Sequence, residues 1–163
     1  IELSHQLDAT VNLAELSGDH VLYISRVPGR RSQFSSSIVG RRLPALSSAA
    51  GRAILSTFPK EERDVFVNTW SLNPLTPQTT LDRAGISDKI DLAALNGFAL
   101  SQSQIILNQT GIAAPIKGPD GRAYAALQIS VSSQIWGEER IQNELLPYIL
   151  EAAQGISPQA RDR

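Results

Sequence analysis

The sequence predicts an α+β domain in which helices pack on the faces of an antiparallel sheet. Two strand-like runs separated by a turn signal open the chain, and the strongest strand pattern, Ala123–Ser132, comes near its end. Between and after these strands lie helical patterns, the last with Ile141, Leu145, Ile149 and Ala152 in an apolar stripe at helical spacing. The order hairpin, strand, helices, strands, helix is typical of this class.

The first half of the chain begins with a predicted hairpin. Thr10–Leu16 and His20–Val27 are rich in Val, Leu, Ile and Tyr, and the turn-forming Ser17-Gly18-Asp19 joins them. Gln33–Val39 is predicted as a third strand, although a serine run weakens the pattern.

Three helices are expected next. The first begins near Ser48 and ends near Thr57, the second follows Pro59, and a surface connection then leads to a short helix over Ser87–Leu95. Ser87 is its expected N-cap, and Asn96-Gly97 is its stop signal.

The second half supplies the remaining strands and the last helix. Strands are predicted over Phe98–Ser103, Gln109–Lys117 and Ala123–Ser132, and the helix follows Gly137. Pro147 lies inside that helix and is expected to kink or break it.

The composition excludes several classes of function. The 163 residues contain no Cys, only two His and a net charge of −1. Thiol chemistry and cysteine–zinc sites are therefore excluded, and we expect no metal site, no cofactor and no catalytic activity. A domain that binds DNA by itself usually carries a basic patch, which this charge balance does not favour. No apolar run is long enough to span a membrane, which predicts a cytoplasmic protein.

The size suits one domain over residues 1–163. The chain begins with Ile1 and contains no Met, so we expect it to be a piece of a longer protein.

The most informative segment is Gly40–Leu55. Ser48 is a good N-cap, and Ala49 and Ala50 leave the first backbone N–H groups of the helix accessible, as an anion site requires. Alternatively, the small residues Ala49, Ala50, Gly51 and Ala53 allow tight helix packing.

Several motifs in this order resemble the C-terminal effector-binding domain of IclR-family transcriptional regulators. They are Gly40-x-x-Leu43-Pro44 with Ala49–Leu55, the opening hairpin, Gly97-Phe98-Ala99, Gly111–Ile116 through Asp120-Gly121-Arg122, and Leu145-Leu146-Pro147 with Ala152-Ala153. The match covers about residues 8–157. The resemblance implies a GAF-like fold and a winged helix-turn-helix domain that precedes this one and binds the DNA.

The resemblance also implies an effector pocket between the sheet and the helix that starts near Ser48. The family's effector carboxylate is held by two backbone amides, here those of Ala49 and Ala50. The site residues implied in this way are Leu43, Ser48, Ala49, Ala50, Ser101, Gly111, Gln128 and Ser130.

Three of these positions differ from the family members that sense small acids. Ser101 stands where several members have an acid, Gly111 where cysteine is frequent, and Gln128 where a small polar residue is usual. Glyoxylate- or pyruvate-like effectors are therefore in doubt, and a larger carboxylate or an aromatic metabolite is favoured.

Each position also has a purely structural interpretation. Ser101 and Ser130 are explained equally well as strand serines bonded to backbone, Gly111 as a bulge or close approach, and Gln128 as solvent-facing. Gln128 and Ser130 share one face of their strand, opposite Leu127 and Ile129. Arg26, Arg41 and Arg42 could grip a carboxylate but are more typical of solvated loops, and Trp70 and Trp136 fit packing or subunit contacts as well as a pocket wall.

The sequence thus predicts a ligand-sensing and oligomerisation domain that forms a homodimer or homotetramer. Its effector is a carboxylate or an aromatic metabolite, it binds DNA only through the missing N-terminal domain, and it has no membrane partner. The alternative is a dimerisation-only module that has lost its effector.

Overall fold

The computed structural model describes residues 2–29 and 39–157 and contains one six-stranded, fully antiparallel sheet. The strand order is β3-β2-β1-β6-β5-β4. The strands are β1 (Thr10–Ser17), β2 (His20–Val27), β3 (Arg42–Pro44), β4 (Ala99–Gln102), β5 (Gln109–Lys117) and β6 (Ala123–Ser132). The predicted α+β class is confirmed.

The opening hairpin forms as predicted. Ser17 pairs with His20, which leaves a two-residue loop whose Gly18 has a φ of 62°. That backbone conformation favours glycine. The predicted strand Gln33–Val39 lies outside the described residues except for Val39, which is in a turn. The short strand β3, which the sequence did not indicate, pairs with the start of β2 instead.

The helices are α1 (Glu2–Leu7), α2 (Ala49–Leu55), α3 (Lys60–Thr69), α4 (Arg83–Asn96), α5 (Glu138–Arg140) and α6 (Leu146–Ile156). A π-helical segment, Ile141–Leu145, joins α5 to α6.

Two predicted helix starts have different outcomes. The expected start of α2 is confirmed, because Ser48 is its N-cap. The expected start of α4 at Ser87 is wrong. Asp82 is the N-cap, since its carboxylate accepts a hydrogen bond from the Gly85 N–H at 3.0 Å. A carboxylate is at least as good an N-cap as a hydroxyl, and it adds a turn to the helix. The stop at Gly97 is confirmed, with a φ of 79°.

The last helix breaks just before Pro147, as predicted. Proline in the first turn of α6 lacks the N–H that a continuous helix would need, and the π-helical segment precedes it. The buried stripe is Ile141, Leu145, Ile149 and Ala153. The expected Ala152 is partly buried and packs against the same core, while the fully buried last position is Ala153.

Each face of the sheet carries its own core. On one face, Ala14, Val21 and Ala126 pack beneath α2, α3 and α4. On the other face, Ile112, Leu127 and Ile129 pack against α6 and the segment before it. The two faces of β6 are therefore both buried, and Gln128 and Ser130 lie on the α2 face rather than in solvent.

Neither a membrane helix nor a metal cluster is found in the described part of the chain. No helix there is long and apolar enough to cross a bilayer. No three His, Asp or Glu side chains among residues 2–29 and 39–157 are grouped so as to hold a metal ion.

Candidate functional site

The start of α2 is packed closely against the turn before it. The Ser48 hydroxyl accepts from the Gly51 N–H at 2.9 Å. A Cβ at Gly51 would lie 2.2 Å from the Ala45 carbonyl oxygen, which no side chain tolerates. Gly51 therefore serves tight packing, so the packing interpretation holds at this position.

The side-chain amide of Gln128 is hydrogen-bonded to the Ala50 N–H, one of the two backbone donors that were predicted to hold a carboxylate. Its Oε1 accepts from the Ala50 N–H at 3.1 Å, and its Nε2 donates to the Tyr23 hydroxyl at 2.7 Å and to Ser130 Oγ at 3.2 Å. All these groups are buried. The orientation of the amide follows from the Ala50 N–H, which can only donate. A neutral side chain thus accepts the hydrogen bond that an effector oxygen would accept.

A small cavity, called here the Gln128 cavity, lies beside this amide. Its volume is about 30 Å³, close to what one water molecule needs. Six of the eight predicted site residues line it, namely Leu43, Ser48, Ala49, Ser101, Gly111 and Gln128. The other two, Ala50 and Ser130, adjoin it through their hydrogen bonds to Gln128. The eight predicted residues therefore come together in space.

Ser101 and Gly111 each have a structural role in this arrangement. The Ser101 hydroxyl donates to the Ser47 carbonyl at 2.6 Å and so ties the edge strand β4 to the start of α2. A Cβ at Gly111 would lie 3.3 Å from the Ala49 Cβ and 3.5 Å from the Gln128 amide. The missing side chain at position 111 therefore makes room for the large side chain at position 128.

A second polar side chain lies across from Gln128 and has no partner. Asn12 on β1 pairs in register with Gln128 on β6 and is fully buried. Neither its Oδ1 nor its Nδ2 makes a hydrogen bond within the described part of the chain. An unpaired buried amide costs free energy, so this layer of the sheet has unused hydrogen-bonding capacity.

Sequence reasoning did not place Tyr23 at the site. Burial raises the pKa of Tyr23 to about 12, although its hydrogen bond to Gln128 acts the other way. The phenol is protonated at neutral pH, and the same hydroxyl that accepts from Gln128 can donate to a ligand. The strand register is the feature that places Tyr23 there. Tyr23 pairs with Ala14, and Ala14 pairs with Ala126, which lies on the same face of β6 as Gln128.

The arginines and tryptophans left open by the sequence occupy different places. Arg41 lines the Gln128 cavity, whereas the exposed Arg42 donates to the Ser17 carbonyl at 3.2 Å. Trp70 stacks on Phe66 with ring centroids 4.5 Å apart. Trp136 lies beneath the Arg140 guanidinium and is not part of the Gln128 cavity.

Comparisons with known proteins agree with this fold. The chain is 27% identical over 150 residues to the HTH-type transcriptional regulator KipR of Bacillus subtilis (strain 168), which covers 92% of this chain and 58% of KipR. It therefore spans a little more than half of that relative.

Solved structures show the same architecture. The Thermotoga maritima IclR has a TM-score of 0.90 at 24% identity, covering 98% of this chain and 64% of that one. A double mutant of the PobR inducer-binding domain from Acinetobacter, in complex with 3-hydroxybenzoic acid, has a TM-score of 0.86 at 22% identity, covering 96% and 92%.

The family of this chain is assigned from a family model that matches nearly its whole length. The bacterial transcriptional regulator IclR C-terminal family matches residues 1–158, and the relatives found are transcriptional regulators rather than enzymes. The chain belongs to the IclR family, and it forms that family's C-terminal effector-binding domain.

Proposed function

We propose that this domain senses a small organic acid, and that the acid binds in the Gln128 cavity. Its carboxylate would take the place of the Gln128 Oε1 on the Ala50 N–H. The Tyr23 hydroxyl and the Arg41 side chain, which also line the cavity, are the other expected contacts. The site residues are Leu43, Ser48, Ala49, Ala50, Ser101, Gly111, Gln128 and Ser130.

One observation carries this proposal: the Gln128 side chain accepts the hydrogen bond that the family's effector would accept. The pair is buried and 3.1 Å apart, so an oxygen acceptor is already accommodated there. The solved PobR complex gives an aromatic hydroxy acid as a precedent for the size of the ligand.

The volume of the cavity sets a condition on binding. About 30 Å³ does not hold a carboxylate metabolite. Gln128 must therefore swing away from Ala50 when the effector enters, and its hydrogen bonds to Tyr23 and Ser130 must break with it.

In the longer protein, we propose that effector binding shifts the population of subunit arrangements in a homodimer or homotetramer. This shift would control DNA binding by a preceding winged helix-turn-helix domain, in a cytoplasmic regulator. The isolated chain, with its net charge of −1, is not expected to bind duplex DNA by itself.

The same geometry also favours the alternative, a dimerisation-only module. The polar side chains around Gln128 are largely satisfied by one another, and little space is left over. A pocket closed in this way by its own side chain is what loss of an effector would leave.

Thermal unfolding of the full 163-residue chain separates the two functions. The chain is titrated with small aliphatic and aromatic carboxylates, each paired with its neutral amide. We expect at least one acid to raise the melting temperature in a saturable way while its amide does not. This rise should weaken in Gly111→Ala, because the new Cβ would narrow the cavity, 3.3 Å from the Ala49 Cβ and 3.5 Å from the Gln128 amide. If no acid gives such a rise, the domain is a dimerisation-only module.

Light scattering tests the assembly independently. We expect a dimer or a tetramer at micromolar concentration, with or without an acid. A monomer at high micromolar concentration would contradict both functions.

A further inference from the structure

A second, larger cavity lies along the edge strand β4. Its volume is about 390 Å³, within the range of small-molecule sites. α4 and the edge strand β4 form two of its walls, and the segment from Trp136 to Gln142 forms another. It is called here the Arg52 cavity, after the buried arginine of α2 that lines it.

Within the described residues, Arg52 is a cation without a counterion. It is 4% exposed, and burial lowers its pKa to about 10, so it still carries its charge at neutral pH. Nε donates to the Leu46 carbonyl at 2.7 Å and Nη1 to the Leu100 carbonyl at 3.4 Å. Nη2 makes no hydrogen bond, and no carboxylate among the described residues pairs with the guanidinium. A buried charge that only carbonyl dipoles compensate gains from an added anion.

The rest of the cavity fits the body of such an anion. Phe98 and Trp136 supply aromatic walls and Leu100 an aliphatic one. Lys89 adds a second positive charge, whereas the carboxylate of Glu138 accepts from the Gln142 amide at 3.5 Å. The lining thus combines the buried cation of Arg52, the exposed cation of Lys89 and one carboxylate, that of Glu138, with flat apolar surfaces.

The backbone at one wall is also unusual. Ile141 and Gln142 belong to the π-helical segment, and both line the cavity. Such segments occur mostly as single turns inserted in α-helices and are frequent at functional sites.

We propose that the Arg52 cavity is a second binding site, which takes a small aromatic monocarboxylate with its carboxylate on Arg52 and its ring between Phe98 and Trp136. This site is distinct from the Gln128 cavity and does not depend on the function proposed for it. Lys89 attracts the anion at the entrance, and Arg52 holds it inside.

The two tryptophans of the chain provide a direct test. Trp136 lines the Arg52 cavity, whereas Trp70 stacks on Phe66 away from it. The indole N–H resonances of the ¹⁵N-labelled chain are assigned with Trp70→Phe and followed while benzoate, benzamide or inorganic phosphate is added. We expect benzoate to shift the Trp136 resonance in a saturable way, with Trp70 unmoved and benzamide without effect.

Two variants and two controls locate the anion. Arg52→Gln should weaken benzoate binding roughly ten- to hundredfold, because a charge-assisted hydrogen bond is lost. Lys89→Glu, at an exposed position that folding tolerates, should weaken it several-fold, whereas Lys117→Glu at the far end of β5 should not. Gln128→Leu, which removes the amide from the other cavity, should leave the Trp136 response unchanged.

The opposite results would overturn the proposal. An unmoved Trp136, an equal response to benzamide, or full binding by Arg52→Gln would leave Arg52 as a structural link between Leu46 and Leu100. An equal response to phosphate would contradict the aromatic part of the assignment.

Discussion

The two cavities beside α2 differ in how their polar groups are satisfied. In the Gln128 cavity, an amide side chain joins Ala50, Tyr23 and Ser130, and about 30 Å³ remains. In the Arg52 cavity, a buried guanidinium has no carboxylate partner among the described residues, and about 390 Å³ is open. A ligand of the first must compete with a side chain, whereas a ligand of the second only adds contacts.

The comparison shows two kinds of binding site, one whose donors are already paired with the protein's own side chain and one whose charge has no partner among the described residues. A site whose donors are already paired selects ligands that bind better than its own side chain, and it couples binding to a movement. A site with an unpaired charge binds without rearrangement but discriminates less. Gln104 lines both cavities, and hydrogen bonds to Thr80, Gln78 and Gln102 hold its amide in place.

The largest expected effect comes from displacing α2, which lines both cavities. In Gly51→Ala, the new Cβ would lie 2.2 Å from the Ala45 carbonyl oxygen, and backbone cannot yield as a side chain can. We expect a loss of about 3–5 kcal/mol in the free energy of unfolding, measured by urea denaturation.

The matched control is Gly155→Ala in α6, where a Cβ meets nothing within 4 Å. It should change stability by less than about 1 kcal/mol, in the stabilising direction. If both variants lose the same amount, the close approach of α2 to Ala45 is not what shapes the cavities.

The next effect concerns the Gln128 cavity alone. Gln128→Leu keeps much of the volume but leaves the buried Ala50 N–H without an acceptor. The expected cost in unfolding free energy is about 1–3 kcal/mol. Gln154→Leu, at an exposed position on α6, should cost almost nothing. A neutral result at position 128 would mean that the hydrogen bond to Ala50 contributes no net stability.

Most of the fold could be predicted because its signals are local. The hairpin, β5, β6, the Ser48 cap and the break before Pro147 each depend on residues adjacent in sequence. The start of α4 was misjudged because Asp82 and Ser87 are both good caps, and the local pattern does not rank them. Strand β3 is only three residues long and owes its pairing to the start of β2, which no periodicity reveals.

The candidate site was predictable only as a set of positions. The order of the motifs identified the eight residues, but nothing in the sequence indicated that Gln128 would accept a hydrogen bond from the Ala50 N–H, 78 residues away. The contributions of Tyr23 and Asn12 depend on strand register, which is a property of the assembled sheet. The Arg52 cavity was not predicted, because an arginine in a helix motif carries no sign that its counterion is missing.

The pH dependence of the free energy of unfolding tests whether the Tyr23 phenol beside the Gln128 cavity is buried. Burial raises the pKa of Tyr23 from 10.0 to about 12, so the folded chain holds this proton more tightly than the unfolded chain. Its contribution is fully present below pH 10 and is lost as the pH rises from 10 through 12.

We expect the chain to lose up to about 1.4 kcal/mol per pH unit in that window through Tyr23. Urea denaturation of Tyr23→Phe should lack this loss, and Tyr124→Phe, at an exposed position, should retain it. Equal slopes for all three proteins would mean that the Tyr23 phenol is not buried in the folded chain.

The smallest expected effect tests whether an effector competes with the Gln128 side chain for the Ala50 N–H. Gln128→Ser places a short polar side chain beside Ala50, so that a carboxylate no longer has to break the bond between Gln128 and the Ala50 N–H. That bond contributes about 0.5–1.5 kcal/mol net, so the acid that most stabilises the chain should bind roughly two- to tenfold more tightly to Gln128→Ser. Calorimetric titration measures this change, and Gln154→Ser on the exposed side of α6 should bind as the unmodified chain does. Weaker binding to Gln128→Ser would show that the effector uses the Gln128 amide as a contact, and the displacement proposed here would then be wrong.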